Sequence, residues 1–239
     1  MPSTNPADLL MAIYHRDQPT VRRLLDAGVD VNQTDADGFA PVHIAASWGN
    51  EEALALLLAR GANPNLPGGD EDMTPLACAA SDGNTGIARL LLKHGADVNG
   101  LSRCETTPVR WAADGLHHDM VRLLAAHGAD LNRPDDSGLT PLMNLCGGYD
   151  LPEDERLAMV RLLLDSGADV NCRTPCGTAL HNAVAWGQRA IVRELLRRGA
   201  DVRLVNDDGE TPADHVRPDD PPEIAEMLQK AAGAAVRRR

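Results

Sequence analysis

The sequence predicts an all-α solenoid of helix-turn-helix units, joined by β-turn fingers and capped at both ends. Three observations predict it. A phrase of the form Leu-Leu-x-x-Gly-Ala-Asp-Val-Asn recurs along the 239 residues; its glycines (Gly28, Gly61, Gly95, Gly128, Gly167 and Gly199) lie 33, 34, 33, 39 and 32 positions apart. A second phrase follows each glycine at a similar distance: Ala40-Pro41-Val42-His43, Thr74-Pro75-Leu76-Ala77, Thr107-Pro108-Val109-Arg110, Thr140-Pro141-Leu142-Met143, Thr178-Ala179-Leu180-His181 and Thr211-Pro212-Ala213-Asp214. Self-similarity at such a period marks a stack of small units that bury their faces against one another. The third observation is composition: 43% of residues are hydrophobic, yet only three Trp, two Tyr and one Phe are present. The core must come from Leu, Ala, Val and Ile, a balance that favours helices over strands.

Each part of the unit has a physical reading. Thr caps the free N–H groups of a helix start, and Pro occupies the first turn without losing a bond. His43 and His181, three residues after the cap, can reach back to it as Glu does in a capping box. Small pairs such as Ala45-Ala46 and Ala79-Ala80 let two helices approach closely. A short polar turn follows, then a second helix carrying the Leu-Leu pair. That helix stops at Gly, which tolerates the left-handed C′ position. An Asp/Asn-rich segment turns the chain before the next Thr-Pro.

In this pattern the sequence resembles the ankyrin-repeat family, whose unit carries Thr-Pro-Leu-His-x-Ala at a period of 33. The resemblance divides the chain into an N-terminal cap (5–32), internal repeats at 33–65, 66–99, 100–132, 133–171 and 172–203, a C-terminal cap (204–232) and a disordered tail (233–239). Departures fall in readable places. Thr-Pro is missing from the first unit, where Ala7-Asp8-Leu9-Leu10 stands. Pro218, Pro221 and Pro222 interrupt the last. The 39-residue spacing places six extra residues between the helices of one unit, around Gly147–Pro152 and including Tyr149.

Several functions are disfavoured. A net charge of −12 argues against nucleic acid, whose phosphates need clustered Lys and Arg. No 18-residue apolar run or basic leader is present, so neither a membrane span nor a signal peptide is expected. Five scattered cysteines fit free thiols in a reducing, cytoplasmic setting. The dominance of Arg over Lys hints at a bacterial source. No Ser/His/Asp set, phosphate loop or His-Glu-x-x-His is present, so an enzyme is not expected. Cys172 and Cys176, with His181, could at most begin a metal site, since zinc needs four ligands. Neither a metal nor a cofactor is expected.

What the resemblance implies is a monomeric protein-binding surface on a concave face. Carried over position by position, it gives Tyr14, Trp48, Asp82 and Trp186 at the ends of the first helices. It gives Asp37, Phe39, Asp70, Glu71, Asp136, Asp207 and Asp208 in the turns. Trp and Tyr are enriched in binding hot spots. The turns hold many carboxylates and the second helices most of the basic residues, so a protein partner with a basic surface is favoured. Trp111 is placed in the interior. Two alternatives stay open: an immunity-type inhibitor or effector of bacterial kind, and a metal-dependent regulator or enzyme using the Cys172/Cys176 turn.

Overall fold

The computed structural model describes residues 5–147 and 151–236, which form two compact units, Met1–Ala129 and Asp130–Arg239. Extended pairing among the described residues is limited to isolated bridges, Gly68 with Met73 and Thr174 with Gly177. The expected all-α class is what the chain adopts.

The first unit holds four helix pairs: α1 (Pro6–Tyr14) with α2 (Gln18–Asp26), α3 (Pro41–Ser47) with α4 (Glu51–Ala59), α5 (Pro75–Ser81) with α6 (Thr85–Lys93), and α7 (Pro108–Asp114) with α8 (His118–Ala126). The inner helices α1, α3, α5 and α7 pack in succession, as do the outer helices α2, α4, α6 and α8. The second unit holds α9 (Pro141–Leu145) with α10 (Glu153–Asp165) and α11 (Ala179–Ala185) with α12 (Arg189–Arg197). A 3₁₀ turn, Pro212–His215, there precedes α13 (Pro222–Val236).

The helix starts follow from their capping residues. Thr74, Thr107 and Thr140 accept hydrogen bonds from the amides of Ala77, Arg110 and Met143 at 3.1, 3.4 and 3.2 Å. In the first unit's opening helix, Asn5 replaces Thr: its side chain accepts from the Ala7 amide at 3.2 Å, with Pro6 in the first turn. Asn5-Pro6 therefore supplies the start that Thr-Pro supplies elsewhere. The outer helices end at the six repeat glycines, with φ between 81° and 105°. No atom lies within 4 Å of where their Cβ would sit, so the backbone angle alone selects glycine. The core is aliphatic, as expected: Leu9, Ile13, Leu24, Leu54, Leu57, Leu76 and Leu91 in the first unit are fully buried, as are Leu163, Leu180 and Leu195 in the second. Each contributes about 1.5–3 kcal/mol over its exposed state.

Three expectations need correction. The long spacing does not place all its extra residues between helices: α10 has 13 residues where the other outer helices before the last have 9. Arg156, only 4% exposed, anchors this longer helix by donating to the Gly147 carbonyl at 2.8 Å and to Gln188 Oε1. Tyr149 lies outside the described residues. The tail does not lose structure at 233, because α13 runs to Val236 through an Ala-rich segment of high helix propensity. Trp111 is half-buried rather than interior, and its indole N–H donates to Ser102 Oγ at 3.3 Å.

Candidate protein-binding surface

Much of the polar sequence is consumed in holding repeats together. The Asn that closes each of the first five glycine phrases bridges to the next repeat. Asn65 donates to the Gly95 carbonyl at 3.0 Å and accepts from the Asp97 amide at 2.7 Å. Asn32 does the same with Gly61 and Asn63, and Asn171 with Gly199 and Asp201. The preceding Asp30, Asp97, Asp130 and Asp169 each accept from the amide two residues on, closing an Asx turn. The turn chemistry is legible in the sequence and the inter-repeat bridge is not; its one signal is the Asn that recurs at the close of five of the six phrases.

The two histidines also serve twice. His43 Nδ1 accepts from the Ala40 amide at 3.1 Å, and its other nitrogen meets the Leu66 carbonyl at 2.7 Å. His181 repeats this with the Thr178 amide at 3.0 Å and the Glu210 carbonyl at 3.1 Å. A nitrogen that accepts from an amide is unprotonated, so the other must be the N–H donor and the ring is neutral. Burial, the largest influence, lowers both pKa values.

The outer helices carry the basic residues, and cross-repeat pairs neutralise many of them. Arg22 meets Glu52 at 2.9 Å and Arg60 meets Asp26 at 2.8 Å in the first unit; Arg198 meets Asp165 at 2.6 Å in the second. Glu194, 5% exposed, sits among Arg161, Arg197 and Arg198 at 3.4, 2.5 and 2.9 Å. The hydrogen bond from Arg197 leads the influences that hold its carboxyl at about 2.

What remains for a partner is at the inner-helix ends and the fingertips. In the first unit, Tyr14 closes α1 and Trp48 caps α3; they are 46% and 52% exposed. Their rings meet edge to face, with centroids 4.7 Å apart and planes at 77°. The Arg16 guanidinium donates to the Trp48 carbonyl at 2.6 Å, tying the two inner helices beside the pair. Asp82 caps α5 and is exposed, with its carboxyl pKa raised chiefly by partial burial and opposed by His117. In the second unit Trp186 occupies the matching cap of α11 and is 54% exposed.

The fingers divide the carboxylates into two kinds. Asp35 accepts from the amides of Asp37 and Phe39, and Asp135 from those of Ser137 and Leu139; these shape the turns. Asp207 is exposed but pairs with Arg173 at 3.1 Å, while Asp136 and Asp208 are exposed on their own turns. Asp37, Asp70 and Glu71 are exposed at the rim of a groove of about 280 Å³, whose floor includes the half-buried Phe39 and Met73. The Phe39 ring packs against His43, centroids 6.0 Å apart.

The Cys172/Cys176 turn does not converge. Cys172 approaches the Asn132 carbonyl at 3.7 Å and Cys176 the Ser137 carbonyl at 3.4 Å. Among the described residues no three His, Cys, Asp or Glu side chains could hold a metal ion. No helix there is long and apolar enough to cross a membrane.

Repeated pairs of short helices, linked by β-turn fingers and stitched by Asn and His, define a helical repeat protein. The chain belongs to the ankyrin-repeat family: models described as "Ankyrin repeats (3 copies)" match residues 9–101 and 99–174, and one described as "Ankyrin repeats (many copies)" matches 162–216. Mouse palmitoyltransferase ZDHHC13 is 36% identical over 94% of this chain and 36% of its own length. Human ankyrin repeat and SOCS box protein 16 is 34% identical over 81% of this chain and 36% of its own. The chain thus spans about a third of the curated relatives it matches. The ankyrin repeat domain of Bcl-3 superposes with a TM-score of 0.81 at 27% identity, covering 93% of this chain and 97% of that one. Human ASB11 gives 0.71 at 23% identity over 93% and 96%, a likeness of fold. The relatives named here are vertebrate proteins, so the bacterial source read from the Arg bias draws no support from them.

Proposed function

We propose that this chain is a non-enzymatic protein-binding module that grips its partner through the exposed aromatics at its inner-helix ends, with acidic fingers favouring a basic partner surface. Ankyrin repeats generally mediate protein–protein interactions, and this chain carries them along most of its length. One observation carries the finer reading. The aliphatic core is closed, yet Tyr14, Trp48 and Trp186 stand half exposed at inner-helix ends. Large exposed rings cost solvation unless a partner covers them, and Trp and Tyr anchor interfaces at about 2–4 kcal/mol each. Palmitoyl transfer, which the name of ZDHHC13 states, is left with that protein, because the likeness covers 36% of its length.

The test is affinity capture with the full chain, followed by calorimetric titration of the recovered partner. The Trp48→Ala/Trp186→Ala chain should bind at least tenfold more weakly, while its melting temperature holds. Equal affinity in wild type and variant would remove both rings from the interface.

A further inference from the structure

We propose that the groove between the fingers at 35–39 and 68–73 receives an arginine side chain from an extended segment of the protein partner. The inference rests on the protein-binding reading above and names the chemistry of one subsite within it.

The groove is built rather than incidental. Gly69 takes a φ of +71°, and a Cβ there would lie 2.4 Å from the Phe39 ring. A Cβ on Gly68 would lie 2.7 Å from the His43 ring. Two glycines thus bring the second finger's backbone directly against aromatic groups of the first. The Phe39 ring is thereby pinned as part of the floor, beside Met73. A volume of about 280 Å³ falls below the range of about 300–1,000 Å³ typical of small-molecule sites. It suits one long side chain.

The rim sets the charge of the occupant. Asp72 has a basic neighbour, Arg103 at 3.8 Å, whose amide also donates to the Glu71 carbonyl at 2.6 Å. Asp37, Asp70 and Glu71 have no ion-pair partner among the described residues, unlike Asp207, and none is spent on a turn, unlike Asp35. The three do not converge on a point that could hold a metal ion. A metal ion is therefore a poor match, and an extended cation over an apolar floor is a good one. Arginine fits better than lysine. Its methylenes can lie on Phe39 and Met73, its flat guanidinium can stack on an aromatic ring, and its five N–H donors can reach more than one carboxylate.

The probe is acetyl-Gly-Arg-Gly-amide, titrated at low salt into the isotope-labelled full chain and followed by amide chemical shifts. The control is the same peptide with citrulline, which keeps the shape and removes the charge. The arginine peptide should give saturable shifts at Asp37–Phe39 and Gly68–Met73, in the millimolar range expected of a single exposed contact. Asp70→Asn with Glu71→Gln, both on exposed side chains, should weaken it about fivefold. No saturable shift at these amides, or an equal response to the citrulline peptide, overturns the proposal. Neither result touches the Trp48/Trp186 test, because those rings are not part of this groove; a lost partner there with a silent groove here would leave the binding module standing and this subsite gone.

Discussion

His43 and Leu66 are joined across two repeats: the imidazole of one finger's helix start donates to the carbonyl of the next finger at 2.7 Å. The opposite ring nitrogen is committed to the Ala40 amide at 3.1 Å, and Ala40 has no side-chain oxygen to serve as a cap. One buried ring therefore satisfies the cap residue's own amide and makes an inter-repeat bond, while the hydroxyl acceptor that Thr74, Thr107 and Thr140 supply is absent at Ala40. His43→Ala should destabilise the protein by about 2–3 kcal/mol, through two lost hydrogen bonds and two buried backbone groups left without partners. The pH dependence follows from the same geometry. Burial lowers the pKa of His43 and His181 in the fold, so below about pH 6.5 the unfolded chain binds more protons than the folded one. Stability present above that pH should decline as pH falls through the folded pKa values. Urea midpoints between pH 8 and 5 measure it, and His43→Ala should flatten the slope. A slope that His43→Ala leaves unchanged would assign the dependence elsewhere.

Asn65 spans the gap between its own repeat and the next with both halves of its amide. Asn65→Asp keeps the acceptor and loses the donor; Asn65→Ala loses both. The expected order is wild type, then Asp, then Ala, with a total loss of about 1–2 kcal/mol, modest because the site is solvent-accessible. Equilibrium unfolding of the three proteins gives the order directly. Equal midpoints for wild type and Asn65→Ala would reduce the bridge to a passive contact.

The helical repeat was legible because its signals are local: a Thr or Asn cap, a Pro in the first turn, a Leu pair and a Gly with positive φ each state their role within a few residues. The exposed rings were legible for the same reason, since Trp48 and Trp186 fall at one register position of the unit and Tyr14 one position before it. What sequence could not show was pairing across repeats. Asp35 and Asp37 look alike as letters, yet one accepts two turn amides and the other stands on a groove rim. Asp207 and Asp208 are neighbours, but Arg173, 34 residues earlier, meets the first. Trp111 was misplaced because its indole N–H finds Ser102, a contact outside its own helix. The groove at Gly68 and Gly69 is not legible in the sequence because its lining is shared between two fingers, with Phe39 from one and Gly68, Gly69 and Met73 from the next.

The five cysteines should separate by burial. Cys78 and Cys146 are buried, which raises their thiols to about 11 and about 12, while Cys104 and Cys176 are exposed. The thiolate is the reactive form, so buried thiols stay inert at neutral pH. In the native protein at pH 8, a disulfide reagent should label Cys104 and Cys176 rapidly and the half-buried Cys172 more slowly. Cys78 and Cys146 should react only on unfolding. Peptide mapping after timed quenching identifies each site. Early labelling of Cys146 would mean that the α9 region opens far more readily than its packing implies.

Glu194 is a buried carboxylate whose charge three arginines stabilise; its pH effect has the same sign as that of the histidines but the opposite cause, a charged form held rather than a neutral one. Its folded pKa of about 2 lies below the ordinary value of 4.5. It therefore contributes stability that is full above about pH 4.5 and is lost as pH falls toward 2. Glu194→Gln keeps the shape but strands Arg197 without its anion and leaves Arg198 with Asp165 alone. At pH 7 it should cost about 1–3 kcal/mol, within the range of a charge-assisted network rather than of an exposed pair. The difference from wild type should shrink as pH falls below about 4.5, because the unfolded chain then takes up a proton at this side chain while the folded carboxylate stays charged. Thermal unfolding of both proteins at pH 7, 4.5 and 3 follows that convergence; a gap that stays constant over this range would show that packing, and not charge, holds α12 against α10.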